Sequence, residues 1–132
     1  MKALRLLILC LLLTPFLSLA QLIEGGREHS IILCADGTVW TCGQNGNGQL
    51  GDGTLTDRTT PVSPAITNVM AVAAGDYHTL ALRTDGTVWA WGYNGFAGLL
   101  GDGSGVSQRR PVQVSGLTIS SIVRICTCEQ QM

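Results

Sequence analysis

The sequence predicts an all-β protein made of two copies of a four-stranded antiparallel unit. Three observations carry this: a block of about fifty residues occurs twice, an Asp-Gly hairpin signal stands at the same place in both copies, and helical periodicity is absent after the first twenty residues. The first copy reads GREHSIILCADGTVWTCGQNGNGQLGDGTLTDRTTPV from Gly26 to Val62, and the second GDYHTLALRTDGTVWAWGYNGFAGLLGDGSGVSQRRPV from Gly75 to Val112. His29 matches His78 at 78 − 29 = 49, and the doubled leucine at Leu99 and Leu100 moves Pro61 onto Pro111 at 111 − 61 = 50. A unit of this kind cannot bury its apolar face without a stacked neighbour.

Within each copy, Ser30 to Cys34 and Thr38 to Cys42, or Thr79 to Arg83 and Thr87 to Trp91, are β-rich runs around Asp36-Gly37 or Asp85-Gly86. Asp-Gly in that setting predicts a two-residue type I′ turn, in which both central residues take φ > 0. That turn pairs Leu82 with Trp89 and Leu80 with Trp91, so Leu80, Leu82, Trp89 and Trp91 share one face, as do Ile31, Leu33, Trp40 and Cys42. A third run is expected at Pro61-Val62 and Pro111-Val112, and a fourth at Val69 to Ala74 and Ile119 to Ile125. Four short antiparallel strands per unit is the make-up of a β-propeller blade, and two blades form an incomplete ring.

Ahead of the repeats, Lys2 and Arg5 precede an apolar run from Leu6 to Leu13, then Pro15, with Ser18 and Ala20 three places and one place before a cut. This reads as a secretory signal peptide over 1–20, too short and too interrupted for a membrane anchor. The expected organisation is 1–20 signal, 21–74 first repeat, 75–125 second repeat and 126–132 a divergent tail, in a secreted or extracytoplasmic chain with no membrane attachment after cleavage. Cleavage leaves 8 − 2 = 6 basic against nine acidic residues and no lysine. Nucleic acid asks for a basic stripe, so it is not an expected partner.

The second copy contains VAAGDYHTLAL from Val72 to Leu82 and DGTVWAWG from Asp85 to Gly92, and it resembles the regulator of chromosome condensation repeat, also found in alpha-tubulin suppressor proteins. The small-small-Gly-x-x-His segment is Ala73, Ala74, Gly75 and His78, and the resemblance runs from about Gly25 to Val123. Family members close seven such blades, which implies a propeller that two blades cannot complete. Past Val123 the sequence RICTCEQQM loses the pattern. Two expectations follow: a truncated piece of a longer propeller protein, which is favoured because nothing caps the edge strands, or self-assembly of three or four chains into a six- or eight-bladed ring.

His29, Asp36, Gly37 and Trp40, with His78, Asp85, Gly86 and Trp89, are read as structural because they recur. Histidine paired with aspartate, or with Ser30 or Thr79 beside it, is not read as catalytic, and no triad or enzyme class is expected. The loops Gly43 to Gly53 and Gly92 to Gly103 resemble phosphate cradles only in glycine content: they lack Gly-Lys-Ser/Thr and open no helix. Asp52, Asp57 and Asp102 fit no calcium-loop spacing, so neither metal nor cofactor is expected. Among Cys34, Cys42, Cys126 and Cys128, the inferred register puts the first two on opposite faces. Function is expected where the copies differ. Tyr77, Tyr93 and Phe96 replace Glu28, Gln44 and Asn47, and Arg109 and Arg110 replace Thr59 and Thr60. Aromatic and arginine side chains anchor protein interfaces, so these five are the candidate contact surface for an unidentified protein partner.

Overall fold

The computed structural model describes residues 20–95 and 98–116, and every element among them is a β-strand. The signal segment up to Leu19, Phe96, the expected strand Ile119 to Ile125, and Cys126 with Cys128 lie outside the described residues. One sheet holds β1 (Ala20–Gly25), β2 (His29–Cys34), β3 (Val39–Gly43) and β4 (Arg58–Val62). The other holds β5 (Val69–Ala74), β6 (His78–Arg83), β7 (Val88–Gly92) and β8 (Gln108–Gln113). Each sheet runs in chain order with antiparallel neighbours, the two-blade all-β architecture that the repeat and its turns predict. The strand at Val69–Ala74 opens the second sheet and pairs with β6, so the blade in space runs one strand ahead of the repeat in sequence.

The hairpin turn corrects the expected register. Only Gly37 (φ 81°) and Gly86 (φ 84°) take positive φ there; Asp36 and Asp85 do not. Gly37 N donates to Cys34 O at 3.0 Å and Cys34 N to Thr38 O at 2.9 Å, and Arg83, Gly86 and Thr87 repeat both bonds. This is a type I turn closed by a glycine bulge, a three-residue loop in place of a two-residue one. Asp36 Oδ1 accepts from Thr38 N at 3.0 Å and Thr38 Oγ1 at 2.6 Å, and Asp85 does the same for Thr87, so the side chain locks the aspartate where it need not enter the left-handed region.

A one-residue slip exchanges the two faces. Ala81 pairs with Trp89 and Thr79 with Trp91, while Leu80 pairs with Ala90 and Leu82 with Val88. Trp89 and Trp91 therefore face the first sheet, and Leu80 and Leu82 face away from it, against the expected grouping of all four. Likewise Ile31 and Leu33 join Val39, whereas Trp40 and Cys42 join Ile32 on the other side. Cys34 and Cys42 thus lie on one face, packed around Ile32, and not on opposite faces.

The core between the sheets is the face Ile31, Leu33 and Val39 set against Val72, Ala81 and Trp91, with Ile66 and Val69 at the entry of β5. Trp91 is wholly buried, and its indole Nε1 donates to Gln49 O of the first sheet's long loop at 2.9 Å. Val69 N donates to Gly37 O at 3.0 Å and Gly53 N to Arg109 O at 2.9 Å, so backbone bonds tie both ends of the joint. Trp91→Phe, which keeps most of the apolar bulk but removes the donor, is expected to lower unfolding stability by about 1–2 kcal/mol in a denaturant titration. Because Trp91 belongs to both sheets, the transition should shift as a single step.

Candidate functional site

The histidines begin equivalent strands and serve the joint. His29 Nε2 lies 3.1 Å from Thr79 Oγ1 of the second sheet, and Thr79 Oγ1 donates its one proton to Gln49 O at 3.0 Å. The imidazole must therefore donate from Nε2, which leaves Nδ1 an acceptor, buried and without a hydrogen-bond partner. Gly26 lies directly over that ring, where a Cβ would land on the His29 imidazole and on the carbonyl of Gly75; Gly75 roofs His78 in the same way. The small-residue rule in Gly-x-x-His is thus a stacking requirement. Burial, with the nearby His78 adding to it, pushes the pKa of His29 down to about 4. Burial also lowers that of His78, against the opposing pull of Asp76. Asp36 and Asp85 sit at the far ends of these strands in the turns, where each holds the threonine two places on.

The glycine-rich loops are closed on themselves by an asparagine. Fully buried Asn45 donates from Nδ2 to Asp52 Oδ1, Thr54 O, Thr54 Oγ1 and Thr56 O at 3.1–3.2 Å, and its Oδ1 accepts from Leu50 N at 3.0 Å. Asn94 repeats this with Asp102, Ser104, Val106 and Leu100. The centre of each loop, where a phosphate would sit, is the asparagine amide itself. Burial alone would raise the pKa of Asp52, but bonds from Thr54, Arg58 and Asn45 outweigh it and hold the carboxyl below the usual range. The bond from Ser104 does the same for Asp102. Asp57 accepts from Asn45 N at 2.8 Å.

Four of the five candidate contact residues are among the described residues, Phe96 lying outside them, and the tyrosines and arginines stand apart. Tyr77 and Tyr93 meet edge to face with centroids 6.5 Å apart, fixed by Tyr93 N donating to Tyr77 O. Arg27 of the first sheet stands 5.9 Å over the Tyr77 ring, a member of this cluster that sequence comparison of the copies missed. Arg109 is exposed and gives its backbone to the joint. Arg110 lines a groove of about 310 Å3 between the connector 63–68 and strands β6, β7 and β8, lined also by Arg83, Trp89, Pro111, Pro64 and Ile66. Arg83 Cζ lies 5.8 Å over the Trp89 ring, and its Nε donates to Thr67 O at 3.0 Å. Trp89 is therefore only partly core. The difference that would have pointed to Arg83 was present in the sequence, since Cys34 holds the equivalent position at 83 − 49 = 34.

Two predictions test the joint. Thr79→Val removes the bridge between His29 and Gln49 O and should cost about 1–3 kcal/mol of stability. His29 has a lower pKa folded than unfolded, so its stabilising effect is complete above pH 6.5 and is lost as pH falls from about 6.5 towards 4. Unfolding titrations across that window should show a decline of about 3 kcal/mol from this group, and His29→Gln should flatten most of it.

A family model for the regulator of chromosome condensation (RCC1) repeat matches residues 36–82 and 85–129, and a second model of the same repeat matches residues 21–49 and 69–97. Among curated proteins none is similar enough to count as a match. Among solved structures, Prp20p from Saccharomyces cerevisiae, described with its binding to Gsp1p and histones, superposes with a TM-score of 0.69 at 23% identity, over 78% of this chain and 27% of that one. Yeast RCC1 (Prp20) bound to Kap60 gives 0.66 at 24% identity, over 78% and 26%. Human WBSCR16 gives 0.63 at 27% identity, over 78% and 27%. The chain thus spans little more than a quarter of each of these proteins. The repeat is matched over more than half of the sequence and its two four-stranded sheets stand as neighbouring blades of an incomplete propeller, so the chain belongs to the regulator of chromosome condensation repeat family.

Proposed function

We propose that this chain is an exported, non-enzymatic protein-interaction module whose contact surface lies where the second repeat departs from the first. The observation that carries the reading is the cluster of Arg27, Tyr77 and Tyr93, in which a cation and two aromatic rings stand together outside the packed frame. Rigid aromatic groups beside an arginine are what protein interfaces use as anchors. The residues with catalytic potential are occupied elsewhere: His29 and Thr79 bind each other, and Asp36 and Asp85 hold their turns. Export rests on the sequence from Lys2 to Ala20. A protein partner agrees with the binding described for Prp20p, while the guanine-nucleotide exchange associated with the family's founding member is not carried over.

A second reading, a unit of a longer propeller or of a ring built from several chains, is favoured by one contrast. Gln49 is fully buried at the joint, whereas its counterpart Leu99 is 49% exposed, and Leu80 and Leu82 are only partly buried where Ile31 and Leu33 are sealed. Light scattering on the purified protein separates the cases: a folded trimer or tetramer supports the ring, and an aggregating chain the fragment. For the contact surface, Tyr77→Ala combined with Tyr93→Ala should reduce capture of a partner from the extracytoplasmic fraction by about tenfold or more, with the melting curve little changed. Undiminished capture by the folded double variant would move the surface elsewhere.

A further inference from the structure

We infer that the groove between the connector 63–68 and the second sheet binds an acidic, extended peptide segment, with a carboxylate on Arg110 and an adjacent proline or leucine against Trp89. This rests on reading the chain as a protein-interaction module and names the chemistry of one partner segment. Its lining mixes apolar side chains, Trp89, Pro111, Pro64 and Ile66, with the two arginines Arg83 and Arg110. At about 310 Å3 it takes one or two side chains and not a large cofactor.

The charge has been added to an existing frame. Trp40 and Pro61 occupy the places of Trp89 and Pro111 in the first copy, but Cys34 stands for Arg83 and Thr60 for Arg110, at 110 − 50 = 60. Both guanidiniums are thus peculiar to the second blade: that of Arg83 stacks on Trp89, and that of Arg110 lies over Gly53 of the first blade's loop. Arg83 is already fixed, by its bond to Thr67 O, its stacking on Trp89 and a 3.3 Å ion pair with exposed Asp85. Its remaining donors are oriented before any ligand arrives, which reduces the ordering cost of binding. Arg110 is exposed and forms no ion pair among the described residues. Its charge is the one an incoming carboxylate would neutralise.

The shape selects an extended chain held by its side chains. β8 is an edge strand, yet Pro111 deprives it of a donor inside the groove and so weakens pairing with an added strand. Proline- and tryptophan-lined surfaces instead receive extended, proline-compatible segments. The connector wall carries Ala65 at φ 58°, exposed and in the left-handed region, with its N–H donating to Ser63 Oγ at 3.2 Å. An alanine in this region beside a groove is the kind of position where function holds backbone out of its preferred range.

The test is fluorescence anisotropy with the purified protein and a labelled peptide alternating glutamate with leucine and proline, beside its glutamine counterpart. Saturable binding of the glutamate peptide is expected, at least about tenfold weaker with glutamine and about tenfold weaker in Arg110→Ala, with Arg110→Lys in between. Tyr77→Ala should leave it unchanged, and the melting curve of Arg110→Ala should match the parent. Equal binding of the two peptides, full binding by Arg110→Ala, or no binding at all would overturn the proposal. Displacement of the peptide by acetate or inorganic phosphate alone would overturn it too, as that marks a small-anion site. None of these results touches the capture that depends on Tyr77 and Tyr93, so the module reading stands or falls separately.

Discussion

The carbonyl of Gln49 is the point on which the two sheets are registered. Apolar faces attract each other without direction, so burial of Ile31, Leu33, Val72 and Trp91 alone would hold the blades together but leave their relative position loosely set. The carbonyl accepts from Trp91 Nε1 and Thr79 Oγ1, and the second of these commits Thr79 to accept from His29. Two side chains of the second sheet thereby meet on one backbone atom of the first blade, and His29 joins them through Thr79, in an interior where an unmade bond is expensive. The carbonyl is in turn held by its own loop, because the next residue, Leu50, donates its N–H to buried Asn45. Disturbing the loop hub would move the acceptor and so loosen the joint.

How much of this could be read from the sequence follows from how local each cause is. The hairpin strands, their antiparallel order and the turn at Asp-Gly depend on residues a few places apart, and they are where the repeat puts them, whereas β1 has no signal in the repeat and β5 pairs with the second sheet. The register within the hairpin differs by one residue from the expected one because the threonine after Asp-Gly takes part in the turn. Thr38 and Thr87 each donate two bonds to the aspartate, which favours the type I turn with its bulge over the two-residue turn. From that single local choice came the misassigned faces of Trp40, Trp89 and Cys42. The contact residues divide in the same way. Tyr77, Tyr93 and Arg110 were visible as differences between copies, but Arg27 joins Tyr77 from the other sheet, and Arg83 meets Trp89 only once the register is correct.

Duplication also explains why a rigid frame and variable binding groups can coexist here. The hub asparagine bonds to a residue five places on in the first copy, Leu50, and six places on in the second, Leu100. The extra residue is absorbed without disturbing the bonds at either end, because the amide fixes where the loop closes and leaves free how much chain it encloses. Both leucines remain buried to within 1% exposure, and Gly48 and Gly98 make the same pair of backbone bonds ahead of them. A frame closed by buried polar hubs can therefore accept insertions and new side chains at its rim at little cost to the core. That tolerance lets the second blade carry tyrosines and arginines where the first carries glutamate, glutamine and threonine, on the same set of buried bonds.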